Sequence, residues 1–342
     1  MSINNQNKKI TTLPIAVTMG EPAGIGGELV CMAWARYRKD LPPIVLIDDP
    51  IRIKKLGETI KCPVKVIPVS KAIEAIEIWP KAIPVIPLSL KNPVVPGRLD
   101  SSNSSAVIAS LDKAINLTLN GETKGIVTNP ISKSILYSKR FKDPGHTEYL
   151  ARATKASVAP VMMLVGPELR VVPVTIHTSL ANAVRSLCID DIVHCAIQSA
   201  DSLYRDFGID SPKIAISALN PHAGENSAFG NEEISIIKPA IEIIKAKGIN
   251  VKGPSAADTL FNPEARQNYD AVICMYHDQA LIPIKMLDFY RTVNITLGLP
   301  IVRTSPDHGT ALDIAGTGQA NPTSFIEALK LASLIYSKRS NK

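Results

Sequence analysis

Three histidines each follow an apolar, β-branched run of strand length: residues 169–176 lead into His177, 213–219 into Asn220-Pro221-His222, and 270–275 into Tyr276-His277. Polar groups collected where strands end mark the crevice in which open α/β sheets bind ligands. Three neutral imidazoles converging there would make a ligand set for Zn²⁺ or a similar divalent ion, with positions left open for substrate. Because neutral ligands leave the ion's charge uncancelled, such a site favours an anionic substrate and can polarise a hydroxyl. Spacing alone leaves a plainer reading open, in which each ring hydrogen-bonds its own loop. Two templates fail: no H-E-x-x-H helix is present, and His146-Thr147-Glu148 lacks the P-C-x-x-C of a zinc deaminase.

Beyond His277 come Lys285, Asn294, Arg303, Asp307 and His308, set in apolar or Gly/Pro-rich sequence that reads as core and turns. Gly145-His146-Thr147 opens a helix, where backbone amides and the helix dipole favour an anion. His194 sits on a largely apolar helical stretch with no motif beside it and reads as a structural histidine.

The elements that would position these groups alternate in βα fashion. A strand at 13–19 runs into Gly20-Glu21-Pro22-Ala23-Gly24-Ile25-Gly26-Gly27 and a helix. Its glycines fit neither G-x-G-x-x-G nor a P-loop, so the turn reads equally as ligand-facing or as a tight connection. Strand-like runs at 44–47, 64–69 and 85–87 alternate with helices at 50–56 and 71–78, and an amphipathic helix covers 102–119. A strand at 125–128 ends at Asn129-Pro130, with Lys133 on the helix behind. Helices are expected at 180–207 and 232–247, and 253–259 reads as a turn and helix cap.

With 342 residues and 45% hydrophobic content, the chain is long enough for two domains sharing a cleft. Its 38 basic and 31 acidic residues leave a charge of +7, scattered rather than blocked, and aromatics are 5%, so no nucleic-acid partner is expected. The five cysteines are far apart and form no C-x-x-C pair, which argues against a disulfide framework or a thiolate zinc site. The polar start MSINNQNKKITTLP lacks a signal-peptide core, and no apolar run approaches the roughly 18 residues that span a bilayer. A cytoplasmic protein without a membrane partner is expected.

At these motifs the chain resembles the 4-hydroxythreonine-4-phosphate dehydrogenase family, the NAD-dependent enzymes of pyridoxine phosphate biosynthesis. The resemblance runs through residues 20–26, 145–148, 219–225, 257–261, 275–279 and 293–318, almost the whole chain in order. It implies an α/β fold with two α/β/α domains around a central cleft, similar to isocitrate and isopropylmalate dehydrogenases. The implied division is residues 1–135 with 304–342 as one domain and 136–303 as the other, the latter carrying the metal ligands and dimer interface. It further implies that His177, His222 and His277 hold a divalent metal (Zn, alternatively Mg or Co). His146, Thr147, Lys285, Asn294 and Arg303 would contact a phosphorylated substrate, and NAD would lie in the cleft without a dinucleotide fingerprint. The active site would form at the interface of a homodimer, with His277 serving the partner's cleft. Two departures stand out: Gly27 where many relatives have proline, and Thr178-Ser179-Leu180 after His177.

From these roles follows an expected reaction, in which 4-phosphooxy-L-threonine is oxidised at C3 and the resulting β-keto acid decarboxylates to 3-amino-2-oxopropyl phosphate. Arg303 and Lys285 are suited to phosphate or carboxylate, although Arg303 has an alternative in a structural ion pair with Asp307 or Asp313. Asp258 and Asp278 are candidates to fix imidazole tautomers. The base is either Lys285 or a water relayed by Asp258. Rival readings are a 4-phospho-D-threonate or erythronate dehydrogenase of the same family, and a metal-dependent phosphohydrolase.

Overall fold

Short runs such as Ile15-Ala16-Val17-Thr18 and Ile44-Val45-Leu46-Ile47-Asp48 are buried at every position, the pattern of strands covered on both faces. The computed structural model describes residues 13–132 and 145–341. Lys133 and the expected boundary at 135/136 lie outside them. The strands are β1 (Ile15–Thr18), β2 (Ile44–Asp48), β3 (Val66–Pro68), β4 (Ile83–Pro87), β5 (Ile126–Val127) and β6 (Val161–Val165), followed by β7 (Arg170–Pro173), β8 (Lys213–Ser217), β9 (Asn250–Ser255), β10 (Ala271–Cys274), β11 (Val293–Leu297) and β12 (Arg303–Pro306). Among the described residues they form one twelve-stranded sheet in the order β3-β4-β2-β1-β5-β12-β11-β6-β7-β10-β8-β9.

The pairings divide the sheet into two parallel blocks joined through antiparallel strands. From β3 to β12 every neighbour is parallel, and so is every neighbour from β7 to β9. Between them β12–β11, β11–β6 and β6–β7 are antiparallel. Three reversals leave the second block running opposite to the first. The first block comes from residues 15–127 and 303–306 and the second from 170–274, with the joining strands β6 and β11 at 161–165 and 293–297.

Helices cover both faces of the sheet. The C-terminal helix Thr323–Ser340 packs on β12 and buries Phe325 completely. Its far end reaches the second block: Arg339 donates to buried Asp206 at 2.7 and 3.1 Å, and Arg205 does the same at the end of helix Ile189–Arg205. Burial pushes the Asp206 carboxyl up, but the two guanidiniums outweigh it and its pKa lies below the ordinary value. No helix among the described residues is long and apolar enough to cross a membrane.

The elements depart from the sequence expectation in three places. Residues 253–255, read as a turn, belong to β9, an edge strand where Pro254 forfeits no inner ladder bond. Gly253 there approaches Ile216 so closely that a Cβ would lie 2.5 Å from its carbonyl oxygen. The segment read as core and turns supplies β11 and β12, two strands at the middle of the sheet. Finally, the helix expected at 232–247 is a π turn, Glu233–Ile237, running into the α-helix Lys238–Ala246.

Candidate functional site

Strands β7, β10 and β8 are adjacent and parallel, so the loops that follow them emerge side by side. The strands stop earlier than their sequence suggests, and each histidine sits on the loop or helix start beyond. His177 and His277 come together, their ring centroids 6.4 Å apart and their planes 40° inclined. With Thr175, Thr178, Tyr276 and Asp278 they line a pocket of about 390 Å³. His277 opens helix His277–Leu287, and its Nδ1 donates to Asp278 Oδ1 at 2.6 Å, the kind of contact that fixes the tautomer of a ligating imidazole.

His222 stands apart from that pair. It lies on a left-handed turn, lines a separate pocket of about 230 Å³ with Glu225, Asn226, Glu233 and Lys238, and has its ring 6.0 Å from that of Phe229. Among the described residues no three His, Cys, Asp or Glu side chains form a metal-holding group. Two imidazoles sharing one ion at about 2.0–2.1 Å would have centroids roughly 5 Å apart, so the observed pair is about an ångström too wide. The pair as it stands within one chain is not a closed ligand set, and an all-imidazole set suits Zn²⁺ or Co²⁺ better than Mg²⁺, which prefers oxygen. The donors therefore fit a divalent transition ion, with the third ring not yet beside the other two.

A second cluster lies on the sheet itself. In the β11–β12 register Asn294 faces Ser305, and alternation places Asn294, Thr296, Arg303 and Ser305 on one face. Arg303 is 5% exposed. Its Nε and Nη2 donate to Thr128 Oγ1 at 3.1 and 2.8 Å, and its Nη1 donates to Thr296 Oγ1 at 2.9 Å. Among the described residues no carboxylate pairs with it, so the ion pair considered with Asp307 or Asp313 is not formed. Burial pulls the Arg303 pKa down to about 10, against the opposing charge of Glu148 on helix His146–Ala153. His146 and Thr147, half-buried, begin that helix. Asn294 Oδ1 is buried with no donor. A buried cation whose described partners are hydroxyls, beside an unsatisfied acceptor, is suited to an anion that also carries a donor group.

Lys285 lies near the far end of the helix that His277 begins, eight residues or about 12 Å along its axis. Its Nζ is 3.1 Å from Asp307 Oδ2 and 5.3 Å from the centroid of the Phe289 ring. Next to Asp307, His308 donates from Nδ1 to the Gly309 carbonyl at 3.0 Å, and its Nε2 is buried without a partner. Burial pulls the His308 pKa below the ordinary value, with Asp307 opposing. Asp258 is exposed on the four-residue helix Ala257–Leu260, which packs on the His222 turn. His194 Nε2 donates to the Ala159 carbonyl at 2.8 Å, a structural contact.

The glycine turn is explained by packing within the chain. Gly20 has φ +66°, and a Cβ there would meet Asn129 at 2.6 Å; one at Gly24 would meet the Thr310 carbonyl at 2.8 Å. Pro22 and Gly24 of the turn also line a cavity of about 410 Å³ shared with helix Pro50–Thr59 and residues 90–96, a cavity that none of the expected metal, substrate or catalytic residues lines. Sequence reasoning missed Thr128, Thr296 and Glu233. Thr296 had a signal, standing two residues from Asn294 on one strand face, and Thr128 stood at the end of an expected strand. Glu233 had none, since its segment reads as an ordinary helix.

The family model for pyridoxal phosphate biosynthetic protein PdxA matches residues 40–332. The chain belongs to the PdxA family. A 4-hydroxythreonine-4-phosphate dehydrogenase from Caulobacter vibrioides is 48% identical over 335 residues, covering 96% of this chain and 99% of that protein. One of the same name from Bradyrhizobium diazoefficiens is 47% identical over 332 residues, covering 94% and 96%. Among solved structures, a 4-hydroxythreonine-4-phosphate dehydrogenase from Klebsiella pneumoniae superimposes with a TM-score of 0.84 at 36% identity, covering 95% of this chain and 99% of that one. A terephthalate 1,2-cis-dihydrodiol dehydrogenase from Burkholderia xenovorans superimposes at 0.61 with 27% identity, covering 94% and 98%. The histidine rim and the Arg303 cluster both lie inside the PdxA match.

Proposed function

We propose that this PdxA chain is a 4-hydroxythreonine-4-phosphate dehydrogenase that oxidises 4-phosphooxy-L-threonine at C3 to 2-amino-3-oxo-4-phosphooxybutanoate. The β-keto acid then loses CO₂ to give 3-amino-2-oxopropyl phosphate. The observation that carries this reading is the buried Arg303 guanidinium, held among the described residues by Thr128 and Thr296 and flanked by the unsatisfied Asn294 oxygen. It is a fixed, fork-shaped donor set for phosphate or carboxylate. Lys285, His146 and Thr147 supply further donors, and Asn294 Oδ1 can accept from the substrate's ammonium or hydroxyl.

When bound, a divalent cation would polarise the C3 hydroxyl and the later ketone, while NAD would accept the hydride. His177, His222 and His277 would hold the cation, with Asp278 fixing the His277 tautomer. The proton leaves the C3 hydroxyl to Lys285 or to a water that Asp258 orients. Zn²⁺ is the ion the imidazole set favours, with Co²⁺ or Mg²⁺ as alternatives.

The active unit in this reading is a homodimer whose sites are shared. Along helix His277–Leu287 the metal ligand and Lys285 are about 12 Å apart, longer than a four-carbon phosphate comfortably bridges. The same helix and its end expose Ile282, Met286, Leu287, Phe289 and Tyr290, an apolar face suited to a second subunit. Docking there would let His277 serve the partner's cleft. We take the two sheet blocks as the two domains, 1–135 with 304–342 and 136–303. A cytoplasmic setting agrees with the free cysteines.

Purified protein analysed for metal and assayed for NAD and NADP reduction tests the assignment. Faster turnover of 4-phospho-D-threonate or erythronate than of 4-phosphooxy-L-threonine would move the chain to the acid-sugar branch. Phosphate release without nicotinamide reduction would make it a phosphohydrolase instead.

A further inference from the structure

The turn that presents His222 is held in an unfavourable shape by one buried carboxylate. Six consecutive residues have positive φ: His222 (52°), Ala223 (53°), Gly224 (77°), Glu225 (38°), Asn226 (53°) and Ser227 (75°). Five of the six carry a Cβ, and L-residues avoid a left-handed run because Cβ crowds the following carbonyl. Such a run persists only where its surroundings fix it, and it concentrates at sites of function.

The fixing group is Glu233, 2% exposed in the π turn Glu233–Ile237. Its Oε1 accepts from the backbone amides of Leu219 and Asn220 at 2.9 and 2.7 Å, and its Oε2 accepts from Asn220 Nδ2 at 2.9 Å. Glu232 takes the other hydrogen of that amide at 2.7 Å. The far side of the turn also rests on Glu233, since a Cβ at Gly224 would lie 2.6 Å from its Oε2. One carboxylate thus grips the chain two and three residues before His222 and abuts it two residues after. The π turn aims it there, as an extra residue in a helix often does at functional sites.

We propose that Glu233 is a positioning residue that sets the left-handed turn of His222 so that its imidazole can join a divalent metal ion. The inference rests on His222 being a ligand, as read above, and adds the group that orients it. Both carboxylate oxygens are needed, because all the groups facing them are donors.

Zn²⁺ titrated against a chromogenic chelator, with purified full-length wild type, Glu233→Gln and His222→Ala, tests it, with melting temperature read in parallel. Glu233→Gln points an amide NH₂ at donors, and its Zn²⁺ affinity should fall roughly 10- to 100-fold while the melting temperature drops by no more than about 5 °C, so that the protein stays folded at the assay temperature. Excess Zn²⁺ should restore its turnover, which a catalytic loss would not allow. Wild-type affinity in Glu233→Gln alongside lost affinity in His222→Ala overturns the role of Glu233 and leaves the histidine reading intact. Wild-type affinity in His222→Ala removes the ligand reading, and the inference with it. Should Glu233→Gln fail to fold, Asn220→Ala decides: a loss of about threefold or more supports the clamp, and unchanged affinity overturns it.

Discussion

The Arg303 cluster and the histidine rim solve opposite problems. Arg303, Thr296 and Asn294 stand on strands in the middle of the sheet, and Thr128, one residue past β5, still donates its backbone N–H to Thr304 of β12, so register puts the four on one face. The three histidines stand on loops and a helix start past the strand ends; two are paired and the third is on a strained turn. Donors for an anion gain from rigidity, since every hydrogen bond is in place before the ligand arrives. Imidazoles that must close on one ion, and be shared between subunits, gain from loops that can adjust. In the proposed reading the substrate anchor is prebuilt, while the metal centre would be completed by assembly.

The sharpest way to break this contrast is at the rim. His277→Ala and His222→Ala should each lower turnover by about 10³-fold or more, because Lewis-acid stabilisation is worth several kcal/mol. Both should also lose bound metal by elemental analysis. Mixing the two inactive variants should return part of the activity if sites are shared; verified heterodimers that stay silent would confine each site to one subunit.

At the anchor the loss should be smaller and of a different kind. Arg303→Ala should reduce kcat/KM by about 10²- to 10³-fold, mostly through KM for the phosphorylated substrate, with metal content unchanged. If metal were lost as well, the two regions would not be separable. Thr128→Val, which removes the acceptor for two Arg303 donors, should cost about tenfold in kcat/KM, the scale of one buried unsatisfied group.

The smallest effect concerns His308, beside the anchor. Its folded pKa is depressed by burial below the ordinary value of about 6.5, so the unfolded chain takes up the proton first as pH falls. The stability it contributes is therefore present above about pH 6.5 and lost as pH drops through the folded pKa. Wild type should lose ~1–3 °C more in melting temperature between pH 7 and 5 than His308→Gln does. Parallel curves would show that the ring is not held neutral.

Much of this was legible in the residues. The β-branched runs before His177 and His277 announced buried parallel strands, and Asp278 was identifiable as the partner of its neighbour's ring. The pairing of Arg303 was not, because the two threonines that hold it lie 175 and 7 residues away and meet it only through strand register. Edge strand β9 was hidden by Gly253-Pro254, whose local signal is a turn and whose tolerance depends on being outermost. Likewise Glu233 looks like any first-turn acid, and only the backbone of a distant strand end gives it work.

One feature of the sheet bears on how such an enzyme would move. β12, β11 and β6 carry the ladder from one block to the other without interruption, and Asp206 ties the far helices together between two arginines, so among the described residues the two blocks share one continuous sheet. A continuous ladder of this kind resists hinge bending, so any rearrangement across it would be spread over several strands as a change of twist.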